Sequence, residues 1–184
     1  ASFTDATVRD EACFLRSVRA SEPVTMELAG HDAGSWVDAS RRTGLDGASS
    51  AWLFMVPPGP SIYMNYPSPY RVYAFVWTVG SAVLERGSGE TTLRLRFRPG
   101  EGALFVASGR TYPACAETAE RMIRLSPEEA LAAARTGWAH ELSRLVNTQY
   151  ALPPETPDRD RLATAVEDVA LLIKGQQSAE GGVL

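Results

Sequence analysis

Residues typical of metal and redox sites are scarce in this sequence. It contains two cysteines and two histidines. Cys13 and Cys115 lack the C-x-x-C spacing of zinc and redox sites. Neither His31 nor His140 belongs to an H-E-x-x-H arrangement, so a metal site would need its other ligands from remote segments. We therefore predict no metal and no cofactor.

Motifs for nucleophilic catalysis and phosphate binding are also missing. Gly87-Ser88-Gly89 joins two predicted strands, whereas a G-x-S-x-G elbow and a phosphate-binding loop both lead into a helix. The adjacent acids Glu128 and Glu129 are explained by helix capping, so nothing marks a pair of catalytic carboxylates. The sequence thus gives no catalytic residue and favours a protein that is not an enzyme.

Lysine is nearly absent, since Lys174 stands alone against seventeen arginines. The formal net charge is -4 and the pI is about 5.3. This balance argues against a polyanion-binding surface over the whole protein, although it permits a local basic patch. We therefore predict no nucleic-acid partner.

Long apolar runs are missing too. The longest, around residues 53–56 and 72–79, are far shorter than the roughly twenty residues that a membrane-spanning helix needs. We therefore predict no transmembrane segment. No basic-then-apolar signal segment opens the chain, but Ala1-Ser2-Phe3 would equally follow a cleaved signal peptide.

The stretch at residues 70–107 organises the predicted fold, because it reads as four consecutive strands joined by tight turns. Residues 72–79 are β-branched or aromatic on both faces, which is typical of a central strand. Gly80-Ser81, residues 87–90 and residues 99–102 supply the turns. The strand at residues 92–98 alternates apolar and arginine side chains, which predicts one buried and one solvated face.

Other elements are predicted on both sides of this stretch. Apolar residues at helical spacing predict an N-terminal helix over residues 5–19. Further strands are predicted at residues 24–29, 51–56, 61–66 and 121–125, with loops at residues 30–50 and 109–117. The strand at residues 61–66 lies between proline pairs, which discourage further strand pairing there.

Two C-terminal helices complete the prediction. Ser126-Pro127-Glu128-Glu129 is a capping box that starts a helix reaching about residue 149. A proline-rich linker at residues 153–157 leads to a second helix, which ends near Gly175. Its predicted buried residues are Leu162, Val166, Val169, Leu172 and Ile173.

The predicted fold class is therefore α+β, with a mainly antiparallel sheet of about six to eight strands. An N-terminal helix and two C-terminal helices accompany the sheet, and the first C-terminal helix packs across it. Residues 1–152 are predicted to form the main domain. Residues 153–184 are predicted to add a helix and a frayed tail to the same domain.

Two groups of side chains are candidates for binding. The first is the arginine row Arg94, Arg96 and Arg98, which lies on one strand face and suits an acidic partner or a carboxylate ligand, or simply forms the polar outer face of a sheet. The second is an aromatic group typical of interfaces and apolar pockets. Its members are Tyr63, Tyr66, Tyr70, Tyr73 and Trp77.

We interpret the chain as a non-catalytic binding or accessory protein that acts through this aromatic and arginine surface. The partner would be a protein or a small apolar or acidic ligand, and the sequence does not indicate an oligomeric state. One alternative is a small-molecule enzyme or carrier with an apolar pocket lined by Tyr63, Tyr73 and Trp77. A weaker alternative is an acidic cytoplasmic chaperone for a secreted partner.

The state of the two cysteines indicates the cellular compartment of the protein. We predict a disulfide between Cys13, on the N-terminal helix, and Cys115, in the loop after the strands. Because disulfides persist in oxidising compartments, this bridge predicts a periplasmic or secreted protein, whereas two reduced thiols would suit the cytoplasm.

Overall fold

The computed structural model describes residues 1–8, 11–30, 32, 34–42, 44–57, 59–60, 67–68, 72–146 and 155–175. The strands are β1 (Ser2–Val8), β2 (Cys13–Ala20), β3 (Val24–Ala29), β4 (Ser35–Asp38), β5 (Ser50–Val56), β6 (Gly59–Pro60), β7 (Pro67–Ser68), β8 (Val72–Arg86) and β9 (Thr92–Gly109). The helices are α1 (Tyr112–Met122), α2 (Pro127–Val146) and α3 (Arg159–Gly175). The chain forms two compact units, Ala1–Leu131 and Ala132–Leu184.

Within the described ranges, seven strands of the first unit form one antiparallel sheet. Their order is β1-β2-β9-β8-β5-β4, and β3 pairs with the first half of β9. β6 and β7 form a separate two-stranded pair. The predicted α+β class with a mainly antiparallel sheet is therefore confirmed. The predicted strand at residues 61–66 lies outside the described residues.

The four strands predicted between residues 70 and 107 are in fact two long strands, β8 and β9, that form one hairpin. Their register shifts between Gly80 and Ala82 of β8. Gly80 has a φ of 68°, and a Cβ atom there would lie 2.6 Å from the carbonyl oxygen of Glu101. The glycine and proline residues near positions 80 and 100 therefore belong to a β-bulge and not to two turns. This bulge bends the hairpin but does not reverse the direction of the chain.

β2 and β3 follow one another along the same edge of β9. β2 pairs with residues 100–107 of β9 and β3 with residues 92–97. The predicted N-terminal helix is wrong, because residues 2–8 and 13–20 form the hairpin of β1 and β2.

The error has a physical cause in the burial of β2. Cys13 and Leu15 are buried on one face of the strand, and Val18 and Ala20 are buried on the other. The step of three residues from Leu15 to Val18 marks this change of face. It imitates the spacing of an amphipathic helix.

The bulge divides the sheet into two halves, one of which contains β3, residues 92–97 of β9 and residues 82–86 of β8. An inner core lies between this half and the rest of the bent sheet. It contains the buried residues Val18, Ala20, Trp36, Trp52, Phe54, Val76, Ala82, Leu84, Leu93, Leu95, Phe97 and Leu104. The backbone N–H of Leu84 donates to Ser50 Oγ at 2.7 Å, and the Leu84 carbonyl accepts from Trp52 Nε1 at 3.4 Å. Side chains of β5 thus satisfy backbone groups on one edge of β8, where no further strand pairs in the described chain.

Helix α1 covers part of the opposite face of the sheet, where it packs on β2, β8 and β9. Its buried residues include Cys115, Ala119 and Met122. The structure therefore has a helix where the sequence predicted a loop at residues 109–117 and a strand beginning at residue 121.

The start of α1 follows ordinary capping chemistry. The Thr111 side chain accepts a hydrogen bond from the backbone N–H of Ala114 at 3.4 Å, and Pro113 lies in the first turn. This signal was present in the sequence as threonine followed by tyrosine and proline.

The capping box at the start of α2 is confirmed. The backbone N–H of Ser126 donates to Glu129 Oε2 at 2.8 Å, and the backbone N–H of Glu129 donates to Ser126 Oγ at 3.2 Å. The hydrogen bond from Ser126 also holds the pKa of Glu129 below its ordinary value. Two of the unpaired N–H groups at this helix end, those of Ser126 and Glu129, are therefore satisfied by side chains.

Replacing Ser126 with alanine is expected to lower the free energy of unfolding by about 1 kcal/mol, because the N–H of Glu129 loses its acceptor. Urea denaturation followed by circular dichroism measures this change. Ser126→Asp restores an acceptor and is the matched control, which should remain within a few tenths of a kcal/mol of the natural protein. Equal losses in both variants would contradict the capping role.

The second unit contains most of α2 and all of α3. The predicted second C-terminal helix is present as α3, which begins at Arg159. Leu162, Val166 and Val169 were predicted to be buried, but their exposed fractions are 44%, 53% and 55%. None of the helices in the described part of the chain is long and apolar enough to span a membrane.

Candidate binding surface

The arginine row lies on one half of the bent sheet, which consists of β3, the first half of β9 and the second half of β8. It occupies the outer face of this half. Leu93, Leu95 and Phe97 of β9 point into the inner core. Because successive side chains of a strand alternate between faces, Arg94 and Arg96 point outward. The predicted alternation of β9 is therefore present, and the outer face of this half of the sheet is polar.

Strand pairing places acidic and small side chains beside the arginines. Arg94 lies opposite Glu27 of β3 and Glu85 of β8. Arg96 lies opposite Thr25 of β3, and its Nη1 is 3.4 Å from Glu85 Oε2. Both members of this ion pair are about half exposed, so it contributes little to stability.

A groove of about 280 Å³ crosses this face near the bulge. Pro23 and Thr25 form one side, Val83 and Glu85 form the other, and Arg96 and Arg98 lie between them. The groove is therefore mixed in character, with two guanidinium groups, one carboxylate and short apolar walls.

The charges on this face do not balance. Glu27 and Glu85 are the acidic groups beside three arginines. Arg98 is exposed and forms no ion pair within the ranges that the structure describes. An anionic group that enters the groove would meet Arg98 without first displacing an acidic side chain.

Two of the predicted aromatic residues, Trp77 and Tyr73, lie away from the arginine row. Trp77 is completely buried and stacks on Phe105, with ring centroids 5.1 Å apart and planes inclined by 4°. Tyr73 is half-buried and meets Tyr112 of α1 edge-on at 6.0 Å. Both lie on the half of the sheet that α1 covers, so the structure does not bring them together with the arginine row.

The other three aromatic candidates are Tyr63, Tyr66 and Tyr70, and they lie outside the described residues, as does His31. The described part of the chain contains no cluster of three or more histidine, cysteine, aspartate or glutamate residues that could hold a metal ion.

A second arginine site joins the segment after β4 to α1. Arg42 lies over the rings of Phe75 and Tyr112, at 5.1 and 5.0 Å from their centroids. Its Nη2 is 3.0 Å from Glu120 Oε1, and its Nη1 contacts the Tyr112 hydroxyl. Because this guanidinium already has a carboxylate and two rings as partners, we assign it to the packing of the fold.

The predicted disulfide between Cys13 and Cys115 is wrong, since both cysteines are free and buried. Cys13 lies on β2 and not on a helix, and its Sγ donates to the Phe14 carbonyl at 3.6 Å. Cys115 lies on α1, and its Sγ donates to the carbonyls of Ala107 and Tyr73 at 3.2 and 3.5 Å. Export was inferred from the disulfide, so the compartment stays a prediction without that support.

Burial changes the acidity of both thiols. It raises the pKa of Cys13 from its ordinary value of 9.0 to about 12, and it also raises the pKa of Cys115. Both thiols are therefore protonated in the folded protein at neutral pH, which makes them poor nucleophiles.

The raised pKa of Cys13 predicts a loss of stability in alkaline solution. Between about pH 9 and pH 12 the unfolded thiol has lost its proton while the folded thiol keeps it, so the free energy of unfolding should fall by about 1.4 kcal/mol per pH unit. Urea denaturation at pH 9, 10 and 11 measures the slope. Cys13→Ala should make the slope shallower by about this amount and leave the part that is due to Cys115. An unchanged slope in that variant would contradict the assignment.

Sequence reasoning identified the arginine row but missed the other residues of the surface. Thr25 and Glu27 are the polar positions of β3, whose alternation was readable in the sequence. Their position beside Arg94 and Arg96 depends on the pairing of β3 with β9, which no local signal gives.

Comparisons with known proteins do not assign the chain to a family. No family model matches it, and neither a curated protein nor a solved structure matches it.

Proposed function

We propose that this chain is a non-catalytic binding module that holds an acidic partner on the outer face of β3, β9 and β8. The observation that supports this most directly is the groove of about 280 Å³ with Arg96 and Arg98 between its walls. Guanidinium groups bind carboxylates through paired, charge-assisted hydrogen bonds. The module thus acts by recognition of negative charge.

The composition of the surface supports binding over catalysis. Among the described groove residues, the titratable side chains are two arginines and Glu85. Arginine stays protonated throughout the physiological range and therefore does not act as a general acid or base. Glu85 is paired with Arg96, so its charge is already partly compensated.

A hexaglutamate peptide with a fluorescent label tests this proposal. Fluorescence anisotropy should show binding that weakens as salt is added, because the attraction between exposed charges is screened. Replacing Arg96 and Arg98 with alanine should reduce the affinity about tenfold per arginine. A hexalysine peptide with the same label should not bind.

The matched control removes two arginines elsewhere on the first unit. Arg41 and Arg124 are exposed and lie outside the groove, so a double alanine variant has the same change in net charge. It should keep most of the affinity. Equal losses in the two double variants would mean that hexaglutamate senses only net charge, and the proposed site would then be wrong.

A further inference from the structure

Of the strands that the structure describes, none pairs with β3 on the side away from β9, and this side is called the open edge of β3. The backbone N–H of Gly30 donates to the Thr91 carbonyl at 2.7 Å, which continues the register of β3 with β9. In an antiparallel pair, residues alternate between pointing their backbone groups toward and away from the partner. Thr25, Glu27 and Ala29 therefore point their N–H and C=O groups away from β9, and all three residues are exposed.

This edge differs from the other edge of the same half of the sheet. There, Ser50 and Trp52 hydrogen-bond the backbone of Leu84 and close the edge of β8. Among the residues that the structure describes, no corresponding side chain or strand caps the outer edge of β3. β3 also has no proline and no lysine, which commonly block strand addition, and Glu27 is its single charged residue.

The open edge and the arginine groove adjoin each other. Thr25 belongs to the outward edge of β3 and also lines the groove, next to Arg96 across the strand pair. A strand added to β3 would lie about 4.8 Å beyond it. An acidic side chain of that strand would then reach over the short Thr25 side chain toward Arg96 and Arg98.

Building on the function proposed above, we infer that the acidic partner is an extended peptide segment that adds to β3 as a further antiparallel or parallel strand. Its backbone pairs with Thr25, Glu27 and Ala29, and its carboxylates on the outer face bind the arginines of β9. Backbone pairing supplies affinity in this mode of recognition, and the side chains supply specificity. Positive charge on the outer face selects acidic segments over neutral ones.

Amide hydrogen exchange on the natural protein tests the inference without mutation. The probe is a seven-residue peptide of alternating valine and glutamate with blocked ends. On saturation with this peptide, the amides of Thr25, Glu27 and Ala29 should exchange at least about tenfold more slowly. The amides of Met26 and Leu28 already point toward β9 and should change less.

Two changes in the peptide separate backbone pairing from charge. Methylating every second backbone nitrogen, so that the groups facing β3 cannot donate, should weaken binding at least about tenfold. Replacing glutamate with lysine should abolish binding, because the arginines then repel the side chains.

A pair of variants at one position provides a further test. Glu27→Pro removes an outward N–H but leaves the hydrogen bonds to β9, and it should weaken peptide binding at least about tenfold. Glu27→Ala keeps that N–H, removes an acidic group, and should bind the peptide at least as well as the natural protein. If Glu27→Pro does not fold, the exchange experiment on the natural protein decides.

The outcomes distinguish the two proposals. If the valine–glutamate peptide binds but the methylated peptide binds equally well and the three amides are not protected, the groove accepts acidic side chains and strand addition is wrong. If neither hexaglutamate nor the valine–glutamate peptide binds, the proposed function fails as well. Protection of Thr25, Glu27 and Ala29 together with loss of binding on methylation supports strand addition.

Discussion

Replacing Phe105 with alanine is expected to lower the free energy of unfolding by about 3–5 kcal/mol. Phe105 is completely buried and stacks on Trp77, and the two residues belong to β9 and β8, the strands on which α1 packs. Removing the ring leaves a cavity and an unsupported indole face, because a packed core of this kind relaxes only partly. Urea denaturation followed by circular dichroism measures the loss.

Phe3→Ala is the matched control for this prediction. The same chemical change occurs at a side chain that is 46% exposed on β1 and whose ring centroid lies 6.0 Å from Arg16 Cζ. Its expected cost is about 0.5–1 kcal/mol, from the lost contact with the guanidinium. Similar losses in the two variants would contradict the placement of Phe105 in the core.

Gly80→Ala is expected to give the second large effect. Gly80 has a φ of 68°, and a residue with a side chain pays about 1–2 kcal/mol to adopt this left-handed conformation. The added methyl group would also lie 2.6 Å from the Glu101 carbonyl oxygen. Since that oxygen belongs to the backbone of β9, the hairpin has to shift at its bend, and the total loss should exceed the conformational cost alone.

Gly137→Ala is the control for Gly80→Ala. Gly137 lies inside α2, and a Cβ atom there would meet no atom within 4 Å apart from the neighbouring backbone of the helix itself. The substitution should stabilise the protein by about 0.5–1 kcal/mol, because alanine favours the helix. The two identical substitutions should therefore shift the urea midpoint in opposite directions, and a destabilising Gly137→Ala would contradict the open space at that position.

The sequence predicted elements well where local chemistry and structure agree. The capping box defines the start of α2 because serine, proline and glutamate each act within one helical turn. The alternation of Leu93, Leu95 and Phe97 with arginines defines the two faces of β9 for the same reason. Such signals depend only on neighbouring residues.

The predictions failed where burial depends on distant partners. β2 is buried against α1 at one end and against the inner core at the other, so its apolar spacing resembles that of a helix. The bulge between Gly80 and Ala82 looks like a turn in the sequence, because glycine serves both structures. Tertiary packing decided between the two interpretations in each case.

The candidate surface was only partly predictable, because some of its features depend on local strand geometry and others on distant strand pairing. The arginines lie two residues apart on one strand, so their common face follows from the geometry of a strand. The acidic neighbours, the groove and the open edge of β3 require the pairing of β3 with β9, which joins segments about 70 residues apart. The disulfide prediction failed because the number and spacing of cysteines do not give the three-dimensional geometry that a bridge requires, and both cysteines are free.

The position of β9 between the first strands and β8 also constrains how the chain folds during its synthesis. β2 and β3 emerge from the ribosome well before β9, their common partner. Translation of the roughly 80 residues from the end of β3 to the end of β9 takes about 4–16 s at ordinary rates. During that interval, the edges of β2 and β3 that later pair with β9 are open in the nascent chain. Premature pairing with other chains then competes with folding.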